Sequence, residues 1–175
     1  MSIEIREERP ADAAAIREVN NLAFGQELEG NIVAALRTNG AAVLSLVATD
    51  KGRVVGHIMY SRVMIGGELI GSDLIGAGLG PMAVLPEYQR QGIGSRLVRA
   101  GNERLAAEGW PFIVVVGHPE YYPRFGFRPA SERGLQCEWE VPDEVFMLLI
   151  TDEAQMRGVA GLAKYPHEFN MTDGE

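Results

Sequence analysis

Apolar and polar residues alternate over Ile3-Glu4-Ile5-Arg6, which predicts a short strand. Arg9-Pro10-Ala11-Asp12 opens a helix in which Ile16, Val19 and Ala23 recur at helical spacing. A second helix carries Leu28, Ile32, Val33 and Leu36 on one face, and Asn39-Gly40 stops it. Ala42 to Thr49 is strand-like, Asp50-Lys51-Gly52 is a hairpin turn, and Val54 to Ile65 is the returning strand. Gly66-Gly67 turns the chain again, and Leu74 to Leu85 forms a further strand with Pro81 inside it. A proline there deletes one ladder hydrogen bond, so a bulge or local break is expected. A helix runs from about Gly92 to Ala107 with Ile93, Leu97, Gly101 and Leu105 on one stripe. Phe112 to Val116 is a continuous apolar run, the pattern of a buried strand. A short Pro-bounded segment follows around Tyr121 and Tyr122, and Val145 to Ile150 is another strand. The tail from Met156 to Glu175 is weakly patterned. Strands before and after single helices predict an α/β (α+β) fold, a mixed sheet with helices on both faces.

The Gly-rich stretch from Gly66 to Gly80 is the one shift in composition, and strand-like sequence flanks it on both sides. The 175 residues therefore read as a single domain, 1–175. No apolar run approaches the roughly 20 residues that span a bilayer, and the N-terminus lacks a basic segment followed by an apolar stretch, so a cytoplasmic location is expected. The lone Cys137 has no internal disulfide partner, which suits a reducing compartment. Asn170-Met171-Thr172 matches a glycosylation sequon and is read as chance. A net charge of -8 argues against a general nucleic-acid binder. An acidic surface suits a cationic amine, although acidity also serves solubility alone.

The informative segment is Val84-Leu85-Pro86-Glu87-Tyr88-Gln89-Arg90-Gln91-Gly92-Ile93-Gly94-Ser95-Arg96-Leu97. A strand ends, a loop follows, and glycines 92 and 94 sit at the mouth of an amphipathic helix. Backbone N–H groups at such a mouth, added to the helix dipole, form an anion site. Glycine removes the side chains that would keep a pyrophosphate from the amides, and Ile93 anchors the turn in the core. Arg90, Arg96 and Arg99 make the stretch locally basic. A Walker A loop needs a lysine where none stands, and the dinucleotide fingerprint needs a third glycine where Leu97 stands. Gly76-Ala77-Gly78-Leu79-Gly80-Pro81 is also glycine-rich, but no helix opens after it.

Gln89-x-x-Gly92-x-Gly94 resembles the pyrophosphate loop of the GNAT superfamily of acetyl-CoA-dependent N-acetyltransferases, and Met82-Ala83-Val84-Leu85-Pro86 resembles that family's central strand. The order of elements matches across nearly the whole chain. The resemblance implies a mostly antiparallel sheet of about six to seven strands, splayed at its central strands, with acetyl-CoA as co-substrate. It implies that the loop around Gln89, with the amides of Arg90, Gln91, Gly92, Ile93, Gly94 and Ser95, holds the pyrophosphate. The backbone of Met82, Ala83 and Val84 would pair with the pantetheine arm like an added strand. No metal, nucleic acid or membrane is implied; a homodimer is compatible with it.

Thioester aminolysis requires that the amine lose a proton, that the oxyanion be stabilised and that the leaving thiolate receive a proton. Tyr121-Tyr122-Pro123-Arg124-Phe125-Gly126-Phe127 resembles the family's aromatic-Tyr-x-x-x-Gly-Phe segment, which puts Tyr122 at the position of the general acid and leaves Tyr121 as packing. The resemblance places the oxyanion donor at a main-chain N–H near Val84. Glu27, Glu29, His57, His118, Glu120 and ordered water stand open as the base. Gly117-His118-Pro119 occupies the region where the family often has an asparagine to hold the pantetheine. The expected reaction is acetyl transfer from acetyl-CoA to a primary amine, small-molecule or peptide, in a ternary complex. A catalytically silent acyl-CoA-binding module, or a transferase using another acyl donor, is the alternative.

Overall fold

The structure is a computed structural model that describes residues 1–66 and 74–172. The Gly66-Gly67 turn reaches outside the described residues. The strands are β1 (Ile3–Glu7), β2 (Ala42–Asp50), β3 (Arg53–Gly66), β4 (Leu74–Val84), β5 (Phe112–Val116), β6 (Arg128–Pro129), β7 (Leu135–Cys137), β8 (Phe146–Ile150) and β9 (Gly161–Lys164). The helices are α1 (Ala13–Phe24), α2 (Leu28–Thr38), α3 (Ile93–Ala107) and the single turn α4 (Glu153–Met156). One sheet runs β1-β2-β3-β4-β5-β8-β6, with β9 joining β3 to β7. All pairings are antiparallel except β4–β5 and β7–β9.

The described strands number nine rather than six to seven. The additional ones, β6, β7 and β9, are two to four residues long. Alternation cannot register over such lengths, and β9 lies in the tail that carries little pattern. At the β2–β3 hairpin, Lys51 and Gly52 both have positive φ, 49° and 84°. That is the two-residue turn whose twist matches the flanking strands.

Neighbouring residues on β3 show how the helices divide between the faces. Gly56 lies against Ile93 and Leu97 of α3, close enough that an added Cβ would be 3.2 Å from each. The His57 ring, one residue on and pointing to the other face, meets Asn20 of α1. α3 thus covers one face with Ile93, Leu97, Gly101 and Leu105 buried along its stripe. α1 and α2 bury Ile16, Val19, Ile32, Val33 and Leu36 on the other.

The sheet opens at its centre. β4 and β5 pair only through Ala77–Ile113, Gly78–Val114 and Leu79–Val115. Beyond Leu79, β4 keeps β3 as partner through Met82, Ala83 and Val84. Between Tyr60–Leu79 and Ile58–Met82, the two residues Gly80 and Pro81 of β4 oppose the single Met59 of β3. That is the bulge expected at Pro81. A bulge bends its strand and sharpens the twist, and here it sits where β4 leaves β5.

Candidate active site

The gap between the diverging strands is the mouth of a cavity of about 850 Å³. Leu85 donates its N–H to Val55 on β3 at 2.9 Å. Backbone groups alternate sides along a strand, so the N–H and C=O of Val84 face away from β3, into the gap. The Val84 carbonyl there accepts Gln89 Nε2 at 2.9 Å, which ties the following loop to the strand end.

That loop places Arg90 and Gly92 in the left-handed region, φ 62° and 84°. Gly92 is the N-cap of α3, and no side chain caps this terminus. The first-turn amides of a helix have no intrahelical partner, so they remain available to a ligand. A Cβ added at Gly94 would be 3.3 Å from the Met82 side chain and from the Tyr121 hydroxyl. Met82, Ala83, Val84, Gln89, Arg90, Gly92, and Ile93 to Ser95 all line the cavity. Gln91 does not; its side chain turns back to donate to the Glu87 carbonyl at 3.2 Å. The basic residues of the loop also separate. Arg90 lines the cavity, whereas Arg96 donates to the Ile3 carbonyl and Arg99 lies over the Phe125 ring at 5.1 Å.

Tyr121 and Tyr122 both line the cavity, and their rings meet edge-on at 5.1 Å. Tyr122 begins a 3-10 turn, Tyr122–Phe125. It is buried, packed on Phe127 at 5.7 Å and against Gly117. A Cβ at Gly117 would be 2.4 Å from the Tyr122 ring, so only glycine leaves room for it. Burial, with Tyr121 beside it, pushes the Tyr122 phenol up to about 12. Tyr121, expected to do no more than pack, brings its hydroxyl 3.1 Å from Ser95 Oγ on the first turn of α3. Arg124 lies over the Tyr121 ring at 4.6 Å and donates to its carbonyl at 2.9 Å. Arg124 also lines the cavity.

The five candidate bases separate by position. His57 is fully buried, 2.9 Å from Ser45 Oγ and 3.2 Å from Asn20 Nδ2. Burial, and secondarily Arg37, pushes its imidazole down to about 3. It is a core histidine, outside the cavity wall. Glu27 and Glu120 are exposed and also outside the wall. Glu29, which accepts from Gln26 Nε2 at 2.9 Å, and His118 at the end of β5 line the cavity. The far wall carries side chains that the sequence did not single out: Phe24, Trp139, Tyr165 and Phe169.

Among the described residues, no group of three or more His, Cys, Asp or Glu is placed to hold a metal. No described helix is long and apolar enough to cross a membrane.

A family model described as an acetyltransferase (GNAT) domain matches residues 41–129, from the start of β2 to the end of β6. The chain is 36% identical over 167 residues to the uncharacterized N-acetyltransferase YhbS of Escherichia coli, covering 95% of this chain and 98% of that protein. It is 43% identical over 137 residues to the uncharacterized N-acetyltransferase YjhQ of the same organism, covering 77% and 75%. The crystal structure of Escherichia coli YhbS in complex with CoA matches with a TM-score of 0.89 at 35% identity, covering 97% of this chain and 92% of that one. A GNAT family acetyltransferase from Brucella melitensis in complex with acetyl-CoA matches with a TM-score of 0.78 at 38% identity, covering 96% and 98%. With this kinship running through both the split sheet and the uncapped helix, the chain belongs to the GNAT family and is an N-acetyltransferase.

Proposed function

We propose that the chain, working as one domain, transfers an acetyl group from acetyl-CoA to a primary amine by direct attack in a ternary complex. The observation that carries this reading is the continuity of the cavity. It starts at the uncapped amides of α3, follows the free edge of β4 past Val84, and reaches the walls given by α1, α2 and the C-terminal segment. Related structures hold CoA or acetyl-CoA. The fit here rests on this chain's own residues. The amides from Arg90 to Ser95 receive the pyrophosphate, with Arg90 and Arg124 supplying positive charge nearby. The edge of Met82 to Val84 takes the amides of the pantetheine arm.

The thioester supplies the activated acetyl group; the chain's part is to position groups and move protons. The Val84 N–H, facing the gap, is the donor for the carbonyl oxygen as negative charge develops. Tyr122, protonated at working pH, gives its proton to the departing thiolate. Glu29 and His118 are the wall residues with the chemistry to take the amine's proton, directly or through water.

The test is a thiol-release assay with acetyl-CoA over polyamines, amino acids, aminoglycosides and N-terminal or lysyl peptides, beside calorimetry of CoA binding. Turnover of at least one amine with micromolar CoA affinity is the expected result. Tight CoA binding with no amine consumed would favour a silent acyl-CoA-binding module.

A further inference from the structure

Charge and carbon are unevenly divided around the cavity. Among the described residues that line it, Glu29 is the one acidic side chain. The basic ones, Arg90, His118 and Arg124, all belong to the loop before α3 and the segment after β5. Phe24 ends α1 and Glu29 stands in the first turn of α2, so a ring and the carboxylate share the corner between these helices. Ala23 and Ile32 line the cavity beside them.

The wall opposite that corner is aromatic, and it lies on the same side of the sheet. A Cβ added at Gly78 would be 2.7 Å from Val63 Cγ2 and 2.8 Å from Tyr165 Cε1, so these two side chains approach one face. Val63 and His57 are an even number of residues apart on β3, and side chains alternate along a strand, so this is the face that α1 covers. The uncapped end of α3 belongs to the other face. Tyr165 packs on Trp139 at 4.7 Å between centroids and on Phe169 at 5.4 Å. The polar atoms of this group are already occupied or enclosed. Trp139 Nε1 donates to Asn170 Oδ1 at 3.0 Å, and the Tyr165 hydroxyl oxygen is buried. Phe24 and Phe169 have no polar side-chain atom. What a ligand meets on this side of the cavity is therefore carbon, with a single carboxylate.

Resting on the acetyltransferase reading above, we propose that Phe24, Trp139 and Phe169 bound an acceptor subsite for a small aromatic monoamine, one primary amine on an uncharged ring body. Glu29 balances the ammonium form on arrival, and the rings take the body out of water. A polyamine or an aminoglycoside would bring further ammonium groups to a wall with no second carboxylate, and burying a charge without a partner is costly. A free amino acid would bring its own carboxylate toward Glu29.

The test compares phenethylamine, ethylamine, phenylalanine, spermidine and a lysyl peptide as acceptors, with calorimetry of CoA binding alongside. Phenethylamine should exceed ethylamine by about 10-fold or more in kcat/KM, the scale of burying most of a phenyl ring. It should also exceed phenylalanine, spermidine and the peptide. Phe24→Ala, at a side chain that is 43% exposed, and Trp139→Ala should each shrink the phenethylamine-to-ethylamine ratio at least threefold, chiefly through KM. Phe24→Trp should keep the ratio, and thermal unfolding checks that each variant is folded. The proposal is overturned if ethylamine, phenylalanine, spermidine or the peptide matches phenethylamine, or if either folded alanine variant keeps the wild-type ratio. In those cases the acetyltransferase reading stands. A chain that binds CoA but consumes none of these amines, nor any of the wider panel above, would overturn both.

Discussion

The hydroxyls of Tyr121 and Ser95 lie 3.1 Å apart, joining the segment after β5 to the first turn of α3 across the cavity. Tyr121 and Tyr122 are adjacent in sequence, yet they face different parts of the cleft. Tyr121 reaches the N-terminal end of α3, while Tyr122 is buried between Gly117 and Phe127. Tyr121→Phe removes the link to Ser95 and frees the first turn of α3. CoA affinity should fall by about 3- to 10-fold, the range of one modest hydrogen bond. The acetyl-transfer step at saturating acetyl-CoA should stay within about threefold. Calorimetry and single-turnover assays separate the two; a large loss of the chemical step with normal CoA affinity would make Tyr121 the proton donor.

Gly92→Asp and Gly94→Asp should each abolish measurable CoA binding while the chain stays folded. A carboxylate at the uncapped mouth of α3 would take up the free amides and repel a pyrophosphate. At Gly92, φ is 84° and the space around it is open, so the cost to the fold is about 1–2 kcal/mol of backbone strain. At Gly94 the neighbours at 3.3 Å are a methionine side chain end and a tyrosine hydroxyl, which can yield. Thermal unfolding checks the fold and calorimetry checks the ligand. In the wild-type chain, acetyl-CoA at 100 times its dissociation constant should add about 2.7 kcal/mol of stability. Wild-type affinity in either folded variant would move the site elsewhere.

His57 should matter for stability and its pH dependence, not for turnover. Its imidazole is held neutral between Ser45 and Asn20, pushed down to about 3 from an ordinary 6.5. The unfolded chain therefore binds the extra proton between those values and the folded chain does not. The stability linked to His57 is complete above pH 6.5 and is lost as the pH falls toward 3, at up to about 1.4 kcal/mol per unit. His57→Gln removes the titration. Denaturant titrations from pH 7 to pH 4.5 should show the wild-type chain losing stability more steeply than the variant. Equal slopes would mean that the buried imidazole is not protonated on unfolding.

What the sequence disclosed follows from how each feature is encoded. α3 and its loop are legible because a 3.6-residue stripe and two helix-mouth glycines lie within one continuous segment. The bulge is legible because Pro81 cannot donate to the ladder. The C-terminal wall is not, because β7 and β9 are three and four residues long and 26 residues apart, Leu135 opposite Gly161. Trp139 and Tyr165 become neighbours only through that distant parallel pairing. Among the base candidates, residue type alone left five. Burial removed His57, and position on the wall retained Glu29 and His118. The segment from Tyr121 to Phe127 identified a tyrosine pair, but the division of labour between them depends on Gly117, whose missing side chain is what admits the Tyr122 ring.

Tyr122→Phe should slow acetyl transfer far more than it weakens acetyl-CoA binding. The ring packs on Phe127 and against Gly117, and phenylalanine keeps both contacts. The hydroxyl is what is lost, and with it the proton that the proposed mechanism gives to the leaving thiolate. General acid catalysis is typically worth about 10²–10⁴-fold, so the single-turnover rate should fall within that range while the acetyl-CoA dissociation constant changes less than about threefold. Single-turnover conditions are needed because slow product release would mask the loss. The raised pKa adds a second expectation. With the phenol pushed up to about 12, the acid form persists well above the ordinary tyrosine range, and activity is lost through this group only as the pH approaches 12. The wild-type rate should therefore show no Tyr122-dependent fall between pH 8 and pH 10. Loss of activity near pH 10 in the wild-type chain but not in Tyr122→Phe would mean that the phenol titrates at its ordinary value despite its burial. A variant rate within about twofold of wild type would leave Tyr122 a packing residue and pass the proton to Tyr121 or to water.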